Sequence, residues 1–151
     1  MPKGKERKFK SGLRGITRLY AVQELYRAEM ENLSLEKIRE ESLLKNEVCI
    51  SENISLFEID GDFFRSLLEI TEKNLRILDA AIAENLSTNW KFDRIAPLMR
   101  SILRLGLAEL LYFPQIPQSV VFNEYIEISK AFFPEKEVAF VNGLLNSAIS
   151  K

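Results

Sequence analysis

The chain contains no histidine. Without imidazole there is no His-based zinc site, no Ser/His or Cys/His nucleophile pair and no imidazole proton transfer. A single cysteine, Cys49, excludes an internal disulfide and fits a reducing compartment. No basic residue lies within three positions of it, so it lacks the mark of an activated thiol. Six glycines and five prolines in 151 residues leave few places where a helix must stop. No apolar run approaches the roughly 20 residues needed to cross a bilayer. The stretch from Leu13 to Tyr26 is interrupted by Arg14, Arg18, Gln23 and Glu24, so it forms no signal-peptide core. These absences predict a cytoplasmic protein that is not an enzyme.

What is present is a segregated charge. Lys3, Lys5, Arg7, Lys8, Lys10, Arg14 and Arg18 fall within the first twenty residues, against Glu6 alone. The other 131 residues carry 14 basic and 21 acidic side chains, so a net charge of −1 combines an arm at +6 with a body at −7. Segregation of this kind points to a polyanionic partner; a solvated tail accounts for Lys3 to Lys8 but not for cations that continue into a helix.

Apolar residues recur at helical spacing throughout. The pattern predicts helices over about 11–30, 34–46, 61–86, 97–112, up to 132, and 137–149. Ser34 is placed to cap the second, and Pro97 suits the first turn of the fourth. Residues 47–60 lack a period and read as a long connection. No β-hairpin signal is found. Asp93 could cap a short turn. The 97–112 helix is apolar nearly all round, which marks a buried central helix. The expected architecture is all-α: two small packed bundles of six to seven helices in all. A basic arm over 1–10 would precede one domain over 11–151, with subdomains at about 11–86 and 92–151.

On a helix, Arg7, Lys10, Arg14 and Arg18 fall within an arc of roughly 80°, and Ala21 and Leu25 continue the stripe as apolar positions. Such cations can meet successive phosphates, with bidentate contacts from arginine. Tyr20 is expected in the core, Tyr26 at the border of the basic face. Arg100 and Arg104 share a face, and the residue types predict an ion pair with Glu109 or Glu124. Those two glutamates have no metal-ligand spacing or nucleophile beside them and are read as structural. Gly143, inside the last helix, predicts close approach by a neighbour or partner; Trp90 predicts a core plug between the bundles.

Several segments together resemble the NusB family of transcription antitermination factors. They are Ala21-Val22-Gln23-Glu24-Leu25-Tyr26, Trp90 with Arg94-Ile95, the run Ile102 to Leu110, Ile116-Pro117, Val121-Phe122-Asn123-Glu124, and Phe140-Val141-Asn142-Gly143-Leu144-Leu145. The resemblance implies two three-helix bundles and no cofactor. It implies single-stranded boxA RNA of ribosomal leader transcripts as ligand and the ribosomal protein NusE as partner. NusA, NusG and RNA polymerase would complete the assembly that suppresses termination. Carried over, RNA-contacting positions are Lys10, Arg14, Arg18, Gln23 and Tyr26, with Phe140 added; the NusE-facing surface lies near Asp93 and Met99. Met99 stands where an acidic residue is frequent, and Gly15 and Ile16 where the Arg run often continues. The alternative is a helical adaptor or homodimer without RNA. A methyltransferase fragment is disfavoured by the lack of a Gly-rich cofactor loop and catalytic Cys motif.

Overall fold

The computed structural model describes residues 12–44, 47–49, 56–87 and 90–150, with backbone alone for 47–49, 56 and 57. The basic arm over 1–10, including Lys10, and the Cys49 side chain lie outside what is described. Among the described residues there are seven α-helices: α1 Leu13–Glu31, α2 Leu35–Ser42, α3 Gly61–Lys73, α4 Leu75–Glu84, α5 Pro97–Tyr112, α6 Gln118–Phe132 and α7 Glu135–Ile149. A 3-10 turn covers Phe92–Arg94. The class is all-α, as the periodicity predicts, with one exception. Strands β1 Glu47–Cys49 and β2 Leu56–Glu58 pair antiparallel with Val48 opposite Phe57, where the sequence predicts an unstructured connection. Three residues are too few to show a period of two. No helix among the described residues is long and apolar enough to cross a membrane.

The chain divides into two compact units between Glu69 and Ile70, inside α3. In the first unit α1 packs against α2 and β2. It buries Ile16, Leu19, Tyr20, Val22 and Leu25, spaced three and four apart as one helix face requires. The helix ends at Asn32 in the left-handed region (φ 56°), its N–H and that of Leu33 both bonding the Ala28 carbonyl. Asparagine tolerates that conformation better than other residues with a Cβ. Ser34 then accepts a hydrogen bond from the Lys37 N–H at 3.1 Å and starts α2, as its position predicts.

The single helix expected over 61–86 is two. Asn74 leaves helical geometry (φ −113°, ψ 19°), and its side-chain amide donates to the Ile70 carbonyl at 2.8 Å. A side chain that bonds the turn behind it competes with the helix ladder. In the second unit α5 packs against α4, α6 and α7 and buries Ile102, Leu103, Leu105, Leu107 and Ala108 completely. Each fully buried leucine or isoleucine contributes about 1.5–3 kcal/mol of transfer free energy. Gly106 lets the helices close here: a Cβ on it would stand 3.3 Å from both Leu145 Cδ1 and Tyr125 Cγ. Gly143, where close approach is expected, has nothing within 4 Å of that position and is exposed. Trp90 is no core plug; it is 53% exposed and stacks on Phe140, ring centroids 6.0 Å apart.

Candidate functional site

The basic stripe of α1 is anchored from below. Asp60 precedes α3 and caps it, its Oδ1 accepting from the Phe63 N–H at 3.0 Å. The Asp60 N–H donates to Thr17 Oγ1 at 2.8 Å, and that hydroxyl donates to the Leu13 carbonyl at 2.7 Å. The start of α3 is thereby tied to the first turns of α1. Phe63, only 5% exposed, lies beneath both arginines. The Arg14 guanidinium carbon is 4.5 Å from its ring centroid and that of Arg18 is 5.1 Å away. A cation over a ring face gains about 0.5–1 kcal/mol at an exposed site and more when desolvated.

The two arginines differ in access. Arg14 keeps its side chain 52% exposed, with one polar contact among the described residues, Nε to Asp60 Oδ2 at 3.5 Å. An ion pair so long and so open contributes little. Arg18 is 3% exposed. The stripe arithmetic fixes where its Cβ points; the long side chain then folds over Phe63 rather than out. Further along α1, Gln23, Tyr26 and Arg27 are half-buried. Arg27 donates to Glu24 at 2.8 Å (Nη2) and 3.3 Å (Nε), and this hydrogen-bonded carboxylate raises its pKa above the ordinary guanidinium value. Tyr20 is core, as expected, 5.0 Å from the Phe64 ring. Burial first, then Glu24, pushes its phenol up to about 12.

The remaining expected positions belong to the second unit. Phe140 is half-buried and, with Trp90, lines a cleft of ≈ 350 Å³ whose polar walls are Asn85, Ser87 and Ser147. Asp93 lies exposed within the 3-10 turn, without capping it. Met99 is 6% exposed in α5. Arg104 pairs bidentately with Asp79, Nε to Oδ1 at 2.8 Å and Nη2 to Oδ2 at 2.9 Å, where the residue types predict Glu109 or Glu124. Glu109, fully buried, accepts a hydrogen bond from the Tyr125 hydroxyl. Arg100 Nη1 donates to the Ile95 carbonyl. Among the described residues, no group of three His, Cys, Asp or Glu side chains is placed to hold a metal ion.

Fold and site together define an all-helical protein whose first helix presents a cation from an aromatic and carboxylate mount. The chain belongs to the NusB family, whose model matches residues 16–150. It is similar to the transcription antitermination protein NusB of Caulobacter vibrioides, 36% identical over 137 residues covering 89% of this chain and 90% of that one. The protein of the same name from Bartonella quintana is 35% identical over 150 residues, covering 99% and 96%. Among solved structures, T. maritima NusB matches with a TM-score of 0.75 at 29% identity over 91% of both chains. A structure of antitermination factors NusB and NusE in complex with dsRNA matches with a TM-score of 0.67, covering 89% of this chain and 93% of that one. At 24% identity that likeness concerns the fold.

Proposed function

We propose that this chain is an RNA-binding transcription antitermination factor that takes boxA RNA together with NusE. Membership of the NusB family and the names of its relatives support the reading. The observation that carries it is Arg14: a half-exposed guanidinium held over Phe63, on the helix that continues a run of cations from Lys3 to Lys10. Lys10 and Arg14 neutralise phosphates, and Arg18 lends its charge from beneath. Gln23 and Tyr26 reach bases along the same helix, and Phe140 offers a ring for stacking beside Trp90. Asp93 faces NusE, whereas Met99, 6% exposed in α5, packs inward and offers that partner no side-chain surface. The assembly then includes NusA, NusG and RNA polymerase, and the chain contributes binding with no catalytic step of its own, in the cytoplasm.

The test is RNA affinity with and without NusE, comparing boxA with a scrambled strand. Arg14→Glu is the informative variant, because reversing the buried Arg18 would confound binding with folding. Binding of boxA should weaken about tenfold or more, and the slope of log K against log salt should shrink by about 0.7 for each phosphate no longer neutralised. Equal affinity for boxA and scrambled RNA, with or without NusE, would reduce the reading to generic polyanion binding.

A further inference from the structure

Resting on the reading of Arg14 as an RNA contact, we propose that Phe63 is a positioning residue for RNA binding. Its ring, with the Asp60 carboxylate at Nε, holds the Arg14 guanidinium so that the two Nη groups meet a phosphate of the bound strand. The geometry assigns each atom a task. Phe63 is 5% exposed and its backbone is tied to Asp60, which is tied in turn to Thr17, so the ring is a fixed platform. The guanidinium carbon sits 4.5 Å from the ring centroid. The Asp60 hydrogen bond uses Nε, and no hydrogen bond from either Nη of Arg14 is found among the described residues. Two parallel Nη donors suit two phosphate oxygens.

Positioning matters because a free arginine side chain must lose its rotamer freedom when a phosphate is bound. A guanidinium already resting on a ring has lost part of it beforehand. Arg18 shares the same ring at 5.1 Å but is 3% exposed, so of the two guanidiniums Arg14 is the accessible one. Lysine at position 14 would keep the charge but lose both the flat stacking and the paired donors.

The experiment measures binding of a single-stranded boxA RNA by the full chain in five forms: wild type, Phe63→Leu, Phe63→Tyr, Arg14→Ala, and Phe63→Leu combined with Arg14→Ala. Phe63→Leu keeps an apolar side chain and removes the ring, and should weaken binding about fivefold. Phe63→Tyr, which restores the ring, should return affinity to within about twofold of wild type. On the Arg14→Ala background Phe63→Leu should cost nothing further, because the effect passes through Arg14. Additive losses, or an unchanged affinity for Phe63→Leu while Arg14→Ala binds weakly, would overturn the positioning role and leave the RNA reading standing. No effect of Arg14→Ala would instead sink the RNA reading at this helix. Should Phe63→Leu fail to fold, NMR of the wild-type chain decides: the Arg14 Hδ protons should be shifted upfield by the ring, and stay so when the RNA is added. Disappearance of that shift on binding would show that the phosphate takes Arg14 away from Phe63.

Discussion

The two units carry the same device with different access. In each, a pair of arginines four apart on a helix lies over one phenylalanine: Arg14 and Arg18 over Phe63, Arg100 and Arg104 over Phe92 at 5.7 and 5.5 Å. Arg104 is closed off, 12% exposed and clamped by both oxygens of Asp79, while Arg100 Nη1 is held by a backbone carbonyl. Arg14 is half-exposed, and its closest approach to its carboxylate is 3.5 Å, from Nε. Spacing and residue type are identical, so neither separates a closed-off arginine from an open one. The carboxylate geometry does. A bidentate partner consumes the donors; a single long contact leaves them for a ligand.

Breaking the two pairs in turn gives the largest contrast. Arg104→Met leaves Asp79, 27% exposed, without its bidentate partner. Removing one member of a fully buried pair costs about 3–5 kcal/mol; with this much exposure about 2 kcal/mol is expected, a fall of roughly 5 °C in Tm. Arg14→Met should change stability by about 1 kcal/mol or less, since an open pair contributes little and an exposed cation–ring contact about 0.5–1 kcal/mol. Thermal melts of both variants alongside wild type decide it. Equal losses would mean that Arg14 is as structural as Arg104.

Alkaline titration sharpens the comparison from another side. Tyr20, on the same helix as Arg14, has its pKa raised from 10.0 to about 12 by burial and by Glu24. The fold favours the neutral phenol, so the stability it lends is whole below pH 10 and is lost as pH rises from 10 through about 12. The loss should be on the order of 2 kcal/mol by about pH 12. Tyr20→Phe should flatten that part of the curve relative to wild type. If the variant lost stability just as steeply, Tyr20 would not be the group responsible.

Most of the helices were legible because three- and four-residue apolar spacing extends over several turns, as in Ile102 to Leu110. What escaped was local chemistry that competes with that spacing. The Asn74 amide bonding Ile70 splits a helix without any Gly or Pro, and the ribbon over 47–58 is too short to alternate. The site was legible by half. Angle arithmetic finds Arg14 on the stripe, yet its mount is 46 residues away at Asp60, and only tertiary structure brings them together. The N-cap pattern, Asp60 three residues before Phe63, was the available signal. For Arg104 the need for a carboxylate was predictable from its apolar surroundings, whereas the choice of Asp79 depended on the helix break at Asn74.

The smallest effects concern two glycines, and they ask whether the frame holding Arg104 is tighter than the surface around the cleft. Gly106 lies on α5 two residues beyond Arg104, and an added methyl there would press on Leu145 and Tyr125 at 3.3 Å. Tyr125 is fully buried and its hydroxyl is committed to Glu109, so its ring cannot yield freely. Gly106→Ala gains helix propensity of up to about 1 kcal/mol but meets overpacking of about 1–3 kcal/mol, so a net loss of about 1 kcal/mol is expected. Gly143→Ala meets nothing within 4 Å and should keep most of the propensity gain, raising stability by about 0.5–1 kcal/mol. Urea denaturation of the pair reads both signs. A stabilising Gly106→Ala would mean that α6 and α7 can shift away from α5.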